Sequence, residues 1–176
     1  MITEAFNGEF YPKVDSKARV SIPAPFRRIL ELGDPATADR PRSRVYMVYG
    51  GTNRKFVECY TMEQSRELFN RVMHLDFGSR ERLVATRTFL TLVSTVDIDE
   101  DGRIVLPQPV REKLDLSPAD LATGLEAAFS GAGENFQIWK RRVYKVDVQD
   151  KLQAMDEDLL GGLDPSVLFS GKKLGA

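Results

Sequence analysis

Apolar and polar residues alternate twice along the chain in the same manner, each time broken by a tight polar turn. Phe10, Pro12 and Val14 share one face of an extended segment, and Tyr11, Lys13 and Asp15 share the other. Past the turn, Val20 and Ile22 return to the apolar face while Arg19 and Ser21 point outward. Further on, Val96, Ile98, Ile104 and Leu106 line an apolar face, with Asp97, Asp99 and Arg103 opposite. Pro25 and Pro109 suit the first position of a short helix, where a missing N–H costs nothing. Those helices carry Phe26, Ile29 and Leu30 in one case, Val110 and Leu114 in the other. A hairpin follows each, "RVYMVY" and "KFVECY" around "GGTN", then "LEAAFS" and "FQIW" around "GAGEN". Between the two halves the pattern is helical. Thr61 and Gln64 have capping-box spacing ahead of a face made by Met62, Phe69, Val72 and Met73. A second helix is predicted from Ser79 to Leu90 with Leu83 and Leu90 inward, and the last 25 or so residues read as an irregular tail broken by Gly and Pro.

The two alternations are copies. "VDSKARVSIPAPFRRIL" (Val14 to Leu30) aligns without a gap on "IDEDGRIVLPQPVREKL" (Ile98 to Leu114) at a constant offset of 84. Asp15 meets Asp99, Arg19 meets Arg103, Pro23 meets Pro107, and Pro25, Arg27 and Leu30 meet Pro109, Arg111 and Leu114. About one identity would arise by chance over such a span. The hairpins match too, Phe56 over Phe136, at an offset shortened to 80. Duplication is therefore the first fact about the fold.

Composition narrows the function. A chain of 176 residues, 42% hydrophobic and 29% charged, has enough material for one good core or for two halves that share one. No apolar run reaches the roughly 18 residues of a membrane span, and the acidic start "MITEAFNGEF" lacks the pattern of a secretory signal. The single cysteine, Cys59, excludes an intrachain disulfide and fits a reducing compartment. With His74 the only histidine, the usual zinc ligand sets are absent, and no cofactor is expected. The net charge of −1 argues against a generic nucleic-acid binder. Any positive charge used on DNA must be concentrated locally and repeated by oligomerisation.

The two tips are where it concentrates. Arginine suits guanine because its planar fork bonds two acceptors on the base edge, and a two-stranded ribbon is among the few elements that fit the major groove. Asp four residues before Arg can bond the N–H groups of the turn or brace the guanidinium. Lys17 at the first apex would touch phosphate, positioning rather than specifying, and Lys13 stands on the outer face of the strand that enters the same tip. Against this, an Asp–Arg pair beside a hairpin turn is in most proteins a solvated pair worth well under about 1 kcal/mol. A pair that only stabilised the fold would repeat as well, so the pattern leaves both readings open. The remaining candidates are weaker. His74 reads as surface or helix cap, Cys59 as core, Trp139 as packing and "KRRVYK" (Lys140 to Lys145) as a solvated face. "YGGTN" has no Gly-Lys-Ser/Thr after it and is not a phosphate loop. Asp99 with Asp101 could mimic a catalytic dyad, but an exposed tip offers no burial to shift a pKa.

"VDSKARVSIPAPFR", followed by "DIDEDGRIVLPQPVRE" and "ENFQIW", closely resembles the MraZ family of bacterial transcriptional regulators, from about Gly8 to Tyr144. The resemblance implies an α+β, β-rich fold in which two AbrB-like units form a pseudo-twofold swapped-hairpin barrel with intervening helices. The units fall at 8–60 and 91–144, with a helical connector at 61–90 and a partly mobile C-terminal segment at 145–176. It also implies assembly into a homo-oligomeric ring and binding to short direct repeats in double-stranded DNA upstream of the division and cell-wall gene cluster. The protein would then be cytoplasmic and nucleoid-associated, and no enzyme. By resemblance Arg19 and Arg103 contact DNA, with Asp15, Asp99 and Gly102 supporting them. The family usually has glycine where this chain has Ala18, and the second tip is acidic, with Glu100 and Asp101 in place of Ser16 and Lys17. The first tip should therefore contribute more affinity and the second more discrimination. The competing reading is an antitoxin-like or scaffold protein that works mainly through protein partners, with the tail as its contact.

Overall fold

The structure, a computed structural model, describes residues 4–171 and 173–174. The chain divides into two bodies between Arg141 and Arg142. Among the described residues, the first holds all the strands. Their order in chain sequence is β1 (Glu9–Phe10), β2 (Lys13–Val14), β3 (Arg19–Ser21), helix α1 (Ala24–Gly33), β4 (Arg44–Val48), β5 (Phe56–Tyr60), helices α2 (Met62–Met73) and α3 (Arg80–Thr86), β6 (Val93–Asp97), β7 (Arg103–Val105), α4 (Gln108–Lys113), α5 (Pro118–Thr123), β8 (Leu125–Gly131) and β9 (Phe136–Lys140). The molecule is α+β and rich in antiparallel strands.

Both sequence-predicted hairpins form, β4 with β5 (Tyr46 opposite Tyr60) and β8 with β9 (Ala128 opposite Trp139). The strands that enter the tips then cross over. β2 pairs with β8 of the other repeat, Lys13 opposite Glu126, while β6 pairs with β4, Asp97 opposite Arg44. The sheet runs β1-β8-β9-β5-β4-β6 with β2 also on β8, an open path that closes into no barrel. Pro12, which has no N–H, separates β1 from β2, but its carbonyl still accepts from Ala127 N at 2.9 Å.

β3 and β7 form a ribbon of their own, with Arg19 opposite Val105, Val20 opposite Ile104 and Ser21 opposite Arg103. Val20 is thus paired with its own counterpart in the repeat, and a pseudo-twofold axis passes between Val20 and Ile104. The flanking bonds obey it, Ile22 N to Gly102 O at 2.9 Å and Leu106 N to Ala18 O at 2.8 Å. Beneath the ribbon lies a single core to which both repeats contribute in equivalent positions. Val14, Val20, Ile22, Phe26 and Leu30 are buried with Ile98, Ile104, Leu106, Val110 and Leu114. Truncating one of these, for example Leu30→Ala, should cost about 2–5 kcal/mol.

The helices begin as their residues dictate. Pro23 and Pro107 are the N-caps, which places Pro25 and Pro109 at the second helical position rather than the first. The second N–H is equally unpartnered in a helix, so the ring is tolerated there as well. α2 carries the expected capping box, Gln64 N to Thr61 Oγ1 at 3.0 Å and Thr61 N to Gln64 Oε1 at 2.9 Å. Its buried residues are Leu68 and Val72; Phe69, assigned inward from the sequence, is exposed. Leu83, also expected inward, is exposed with Val84 and Phe77. α3 is followed by a π-helical turn over Arg87–Thr91, which widens the helix and shifts the phase of the pattern.

In the second body, a π-helical segment (Lys145–Asp150) runs into a helix over Lys151–Leu160, where the sequence suggested an irregular tail. That helix stops at Gly161, whose φ of 56° suits glycine, and Asp164 caps a short 3₁₀ turn over Pro165–Ser170. No helix among the described residues is long and apolar enough to cross a membrane.

Candidate nucleic-acid interface

Each tip is a turn closed by its own aspartate. In the first, Asp15 N donates to Arg19 O and Ala18 N donates to Asp15 O, both at 3.0 Å. The Asp15 carboxylate accepts from Lys17 N and Arg19 N through Oδ1, each at 2.9 Å, and from Arg19 Nε through Oδ2 at 2.7 Å. The second tip repeats the cage. Asp99 N donates to Arg103 O at 2.8 Å and Gly102 N to Asp99 O at 3.0 Å, and Oδ1 of Asp99 accepts from Asp101 N and Arg103 N at 2.9 Å. The Arg19 N–H holds the Asp15 carboxyl below the ordinary carboxylate value, and the Arg103 N–H does the same for Asp99. Both aspartates therefore stay charged at neutral pH and keep their turns closed.

Ala18 meets the demand that glycine meets at Gly102. Its φ is 59°, against 74° at Gly102, so the first turn keeps the left-handed geometry. The conformation costs an alanine about 1–2 kcal/mol. Ala18 is fully buried in the shared core, and packing of its methyl offsets part of that cost. Arg19 is consequently presented from the same backbone as Arg103.

The ribbon brings the two arginines together. Val20 and Ile104 point into the core, so Arg19, Ser21, Arg103 and Val105 stand on the opposite, outer face. The arginine side chains are about one-third exposed, at 34% and 32%. Their surroundings differ. Arg19 is bound to Asp15, and Lys17 stands exposed beside it. Arg103 Nη2 is on Asp101 Oδ2 at 2.9 Å, while its Nε lies 3.4 Å from Asp99 Oδ2, buried and without a hydrogen bond among the described residues. Residues 15–19 set Lys17 and Arg19 against one carboxylate, a net of +1. Residues 99–103 set Arg103 against three, a net of −2.

The other candidate residues fall where their packing puts them. Lys13 is exposed on β2, where Glu126 opposite offsets its charge. Cys59 is completely buried, and burial pushes its thiol up. His74 is the exposed C-cap of α2, its Nδ1 2.6 Å from Asn70 O. Trp139 stacks on Phe56 with ring centroids 4.7 Å apart. Lys140 corrects the reading of "KRRVYK" as a solvated face. It is buried, with Nζ 2.8 Å from Asp120 Oδ2 and 2.7 Å from Asp115 O, and its hydrogen bond draws Asp120 down to about 2. Sequence reading also missed Asp34, a buried carboxylate that accepts from Arg44 N, Arg44 Nε and Arg40 Nη1, each at 3.0 Å. Burial opposes its charge, but the Arg44 and Arg40 guanidinium groups outweigh it and hold the carboxyl low, locking the loop after α1 onto β4.

The chain is similar over nearly its full length to proteins named Transcriptional regulator MraZ. One from Cereibacter sphaeroides (strain KD131 / KCTC 12085) is 46% identical over 159 residues, covering 90% of each chain. One from Ruegeria pomeroyi is 41% identical over 169 residues, 94% of this chain and 95% of the relative. One from Parvibaculum lavamentivorans is 31% identical over 140 residues, 80% and 78%. The chain belongs to the MraZ family. No family model matches it. Membership of the MraZ family agrees with the resemblance seen in the doubled Asp-x-x-x-Arg stretch, and it covers the connector helices and most of the C-terminal body as well as the tips.

Proposed function

We propose that this chain is a sequence-specific DNA-binding transcriptional regulator, and that Arg19 and Arg103 read base edges from the outer face of the β3–β7 ribbon. The observation that carries the reading is the pseudo-twofold ribbon itself, with two caged arginines on one face. Each cage fixes the backbone and restrains the guanidinium, so less rotamer freedom is lost on contact with a guanine edge. Lys17 meets phosphate at the first tip, and Lys13 adds a weaker backbone contact. The strand exchange between repeats supports AbrB-like units at 8–60 and 91–144 that swap hairpins around one core, joined by the connector 61–90 and followed by the C-terminal segment 145–176.

One copy with a net tip charge of +1 and another of −2 binds weakly alone. Several copies assembled as a ring on regularly spaced repeats bind as a multivalent ligand, gaining orders of magnitude without new chemistry. The apolar side chains Phe69, Phe77, Leu83 and Val84, exposed on and between α2 and α3, support such self-association. The DNA would be short direct repeats upstream of the division and cell-wall gene cluster, and the protein would reside in the cytoplasm with the nucleoid. A gel shift with the region upstream of the chain's own gene tests the reading. Specific retardation, abolished by mutating the repeats, is expected. Absence of retardation together with a stoichiometric protein partner would favour the antitoxin-like or scaffold role.

A further inference from the structure

Gly102 and Ala18 occupy equivalent positions in the two repeats and the same left-handed conformation. That conformation therefore admits a Cβ, since Ala18 carries one without exposing it. The neighbours differ. A Cβ placed on Gly102 would lie 1.7 Å from Arg27 Nη1, 2.8 Å from Arg27 Cζ and 3.2 Å from Arg27 Cδ. The Nη1 end of the Arg27 guanidinium thus occupies the space that a methyl group on Gly102 would fill. Arg27 belongs to α1 of the first repeat, so one repeat supplies a cation to the tip of the other. Its one ion pair among the described residues, to Glu31 Oε1, is long at 3.9 Å and open to water, and binds it weakly. Tip 2 is where such a charge counts. Arg103 is already shared between Asp99 and Asp101, and Glu100 adds a third carboxylate to a surface that has to approach phosphate.

We infer that Arg27 is a positioning residue for the second tip. Seated on Gly102, it offsets the acidic turn and braces the backbone from which Arg103 is presented, and position 102 is glycine to leave room for it. The function of this seat rests on the reading of the tips as the DNA-facing surface; its existence does not.

A double-mutant cycle tests both parts. Gly102→Ala should push the guanidinium away, and Arg27→Ala should remove it. Each should weaken binding to the upstream duplex about three- to tenfold at low salt, with the gap narrowing as salt screens it. The double variant should bind no more weakly than Arg27→Ala alone, because both changes remove one interaction. Arg27→Lys, which keeps the charge, should recover part of the loss, and Ala18→Gly should change affinity less than twofold. Losses that multiply in the double variant, or an Arg27→Ala protein that binds like wild type at every salt concentration, would overturn the inference. Thermal melting gives a readout without DNA. Gly102→Ala should lower Tm about 2–4 °C more in the wild-type background than in Arg27→Ala. Equal drops would mean that glycine serves φ alone and would overturn the seat. Wild-type protein that fails to shift the duplex would instead refute the DNA reading, with the melting cycle still deciding the seat.

Discussion

In the first tip a single carboxylate, Asp15, holds Arg19 at 2.7 Å and leaves Lys17 exposed, whereas in the second Arg103 is divided between Asp99 and Asp101 beside an exposed Glu100. The backbones are the same, down to the two N–H bonds each aspartate accepts and the positive φ at the fourth residue of the turn. Geometry and charge have therefore separated. The cage that aims an arginine is the same in both repeats, and the residues at the apex differ, giving one tip a net charge of +1 and the other −2; on the proposed reading the first is drawn to phosphate and the second held back from it. A tip that is repelled unless its base contact forms gains selectivity at the expense of affinity, since the wrong sequence returns nothing for the approach.

The largest expected effect comes from removing the arginines one at a time. Arg19→Ala should lower affinity for the upstream duplex about ten- to a hundredfold, as the loss of a good base contact does. Arg103→Ala should lower it less, and should instead blur the distinction between intact and mutated repeats. Titration of both variants against salt decides the matter, and equal losses with equal slopes would erase the proposed division of labour. Next in size is the charge exchange. Glu100→Ser with Asp101→Lys gives the second tip the apex of the first, and should raise affinity about tenfold at low salt while discrimination falls. Fluorescence anisotropy at several salt concentrations reads this, and an unchanged affinity would show that the acidic apex is no more than a solvated surface.

Acid should act on both tips alike. Asp15 and Asp99 are held below the ordinary value of 3.8, in each case first by the N–H of the following arginine. A depressed folded value means that their stabilisation is complete above about 3.8 and is lost as the pH falls through the lowered values. Protection of the Arg19 and Arg103 amides, measured as exchange relative to the intrinsic rate at each pH, should hold from neutral pH down to about 4 and then fall at both tips together. Earlier opening of one tip would break the equivalence of the cages. The smallest effect belongs to Ala18→Gly. Relief of the left-handed conformation is offset by the lost buried methyl and a freer unfolded chain, so stability in urea should change by less than about 1 kcal/mol.

Much of the tip was legible because its bonds are local. An Asx turn, a capping box and a short helix entered through proline each involve atoms within five residues, and their residue types state them directly. The repeat made the pattern specific by showing Asp, Arg and Pro at one spacing twice. Legibility failed where a residue's partner is far along the chain. Lys140 looked solvated among neighbouring bases, and only the fold brings Asp120 and the Asp115 carbonyl to it. Phe69 and Leu83 looked inward on helical periodicity, but the core reaches only one side of α2, and the π turn after α3 alters the phase. Arg27 read as one more matched basic residue, since nothing in its neighbourhood names Gly102.

The sequence by itself determined the duplication, the cage of each aspartate, the outward arginines and the opposite charge of the two apices, all of which are set by side chains within reach of their own backbone. Tertiary structure alone decided that β2 lies on β8 and β6 on β4, that Val20 faces Ile104 across a pseudo-twofold axis, and that Arg27 rests on the tip of the other repeat. Each repeat exposes an apolar face that either copy could cover equally well from its sequence. Which copy covers it depends on the burial of all ten equivalent core residues at once, a sum over the whole chain that no local window contains.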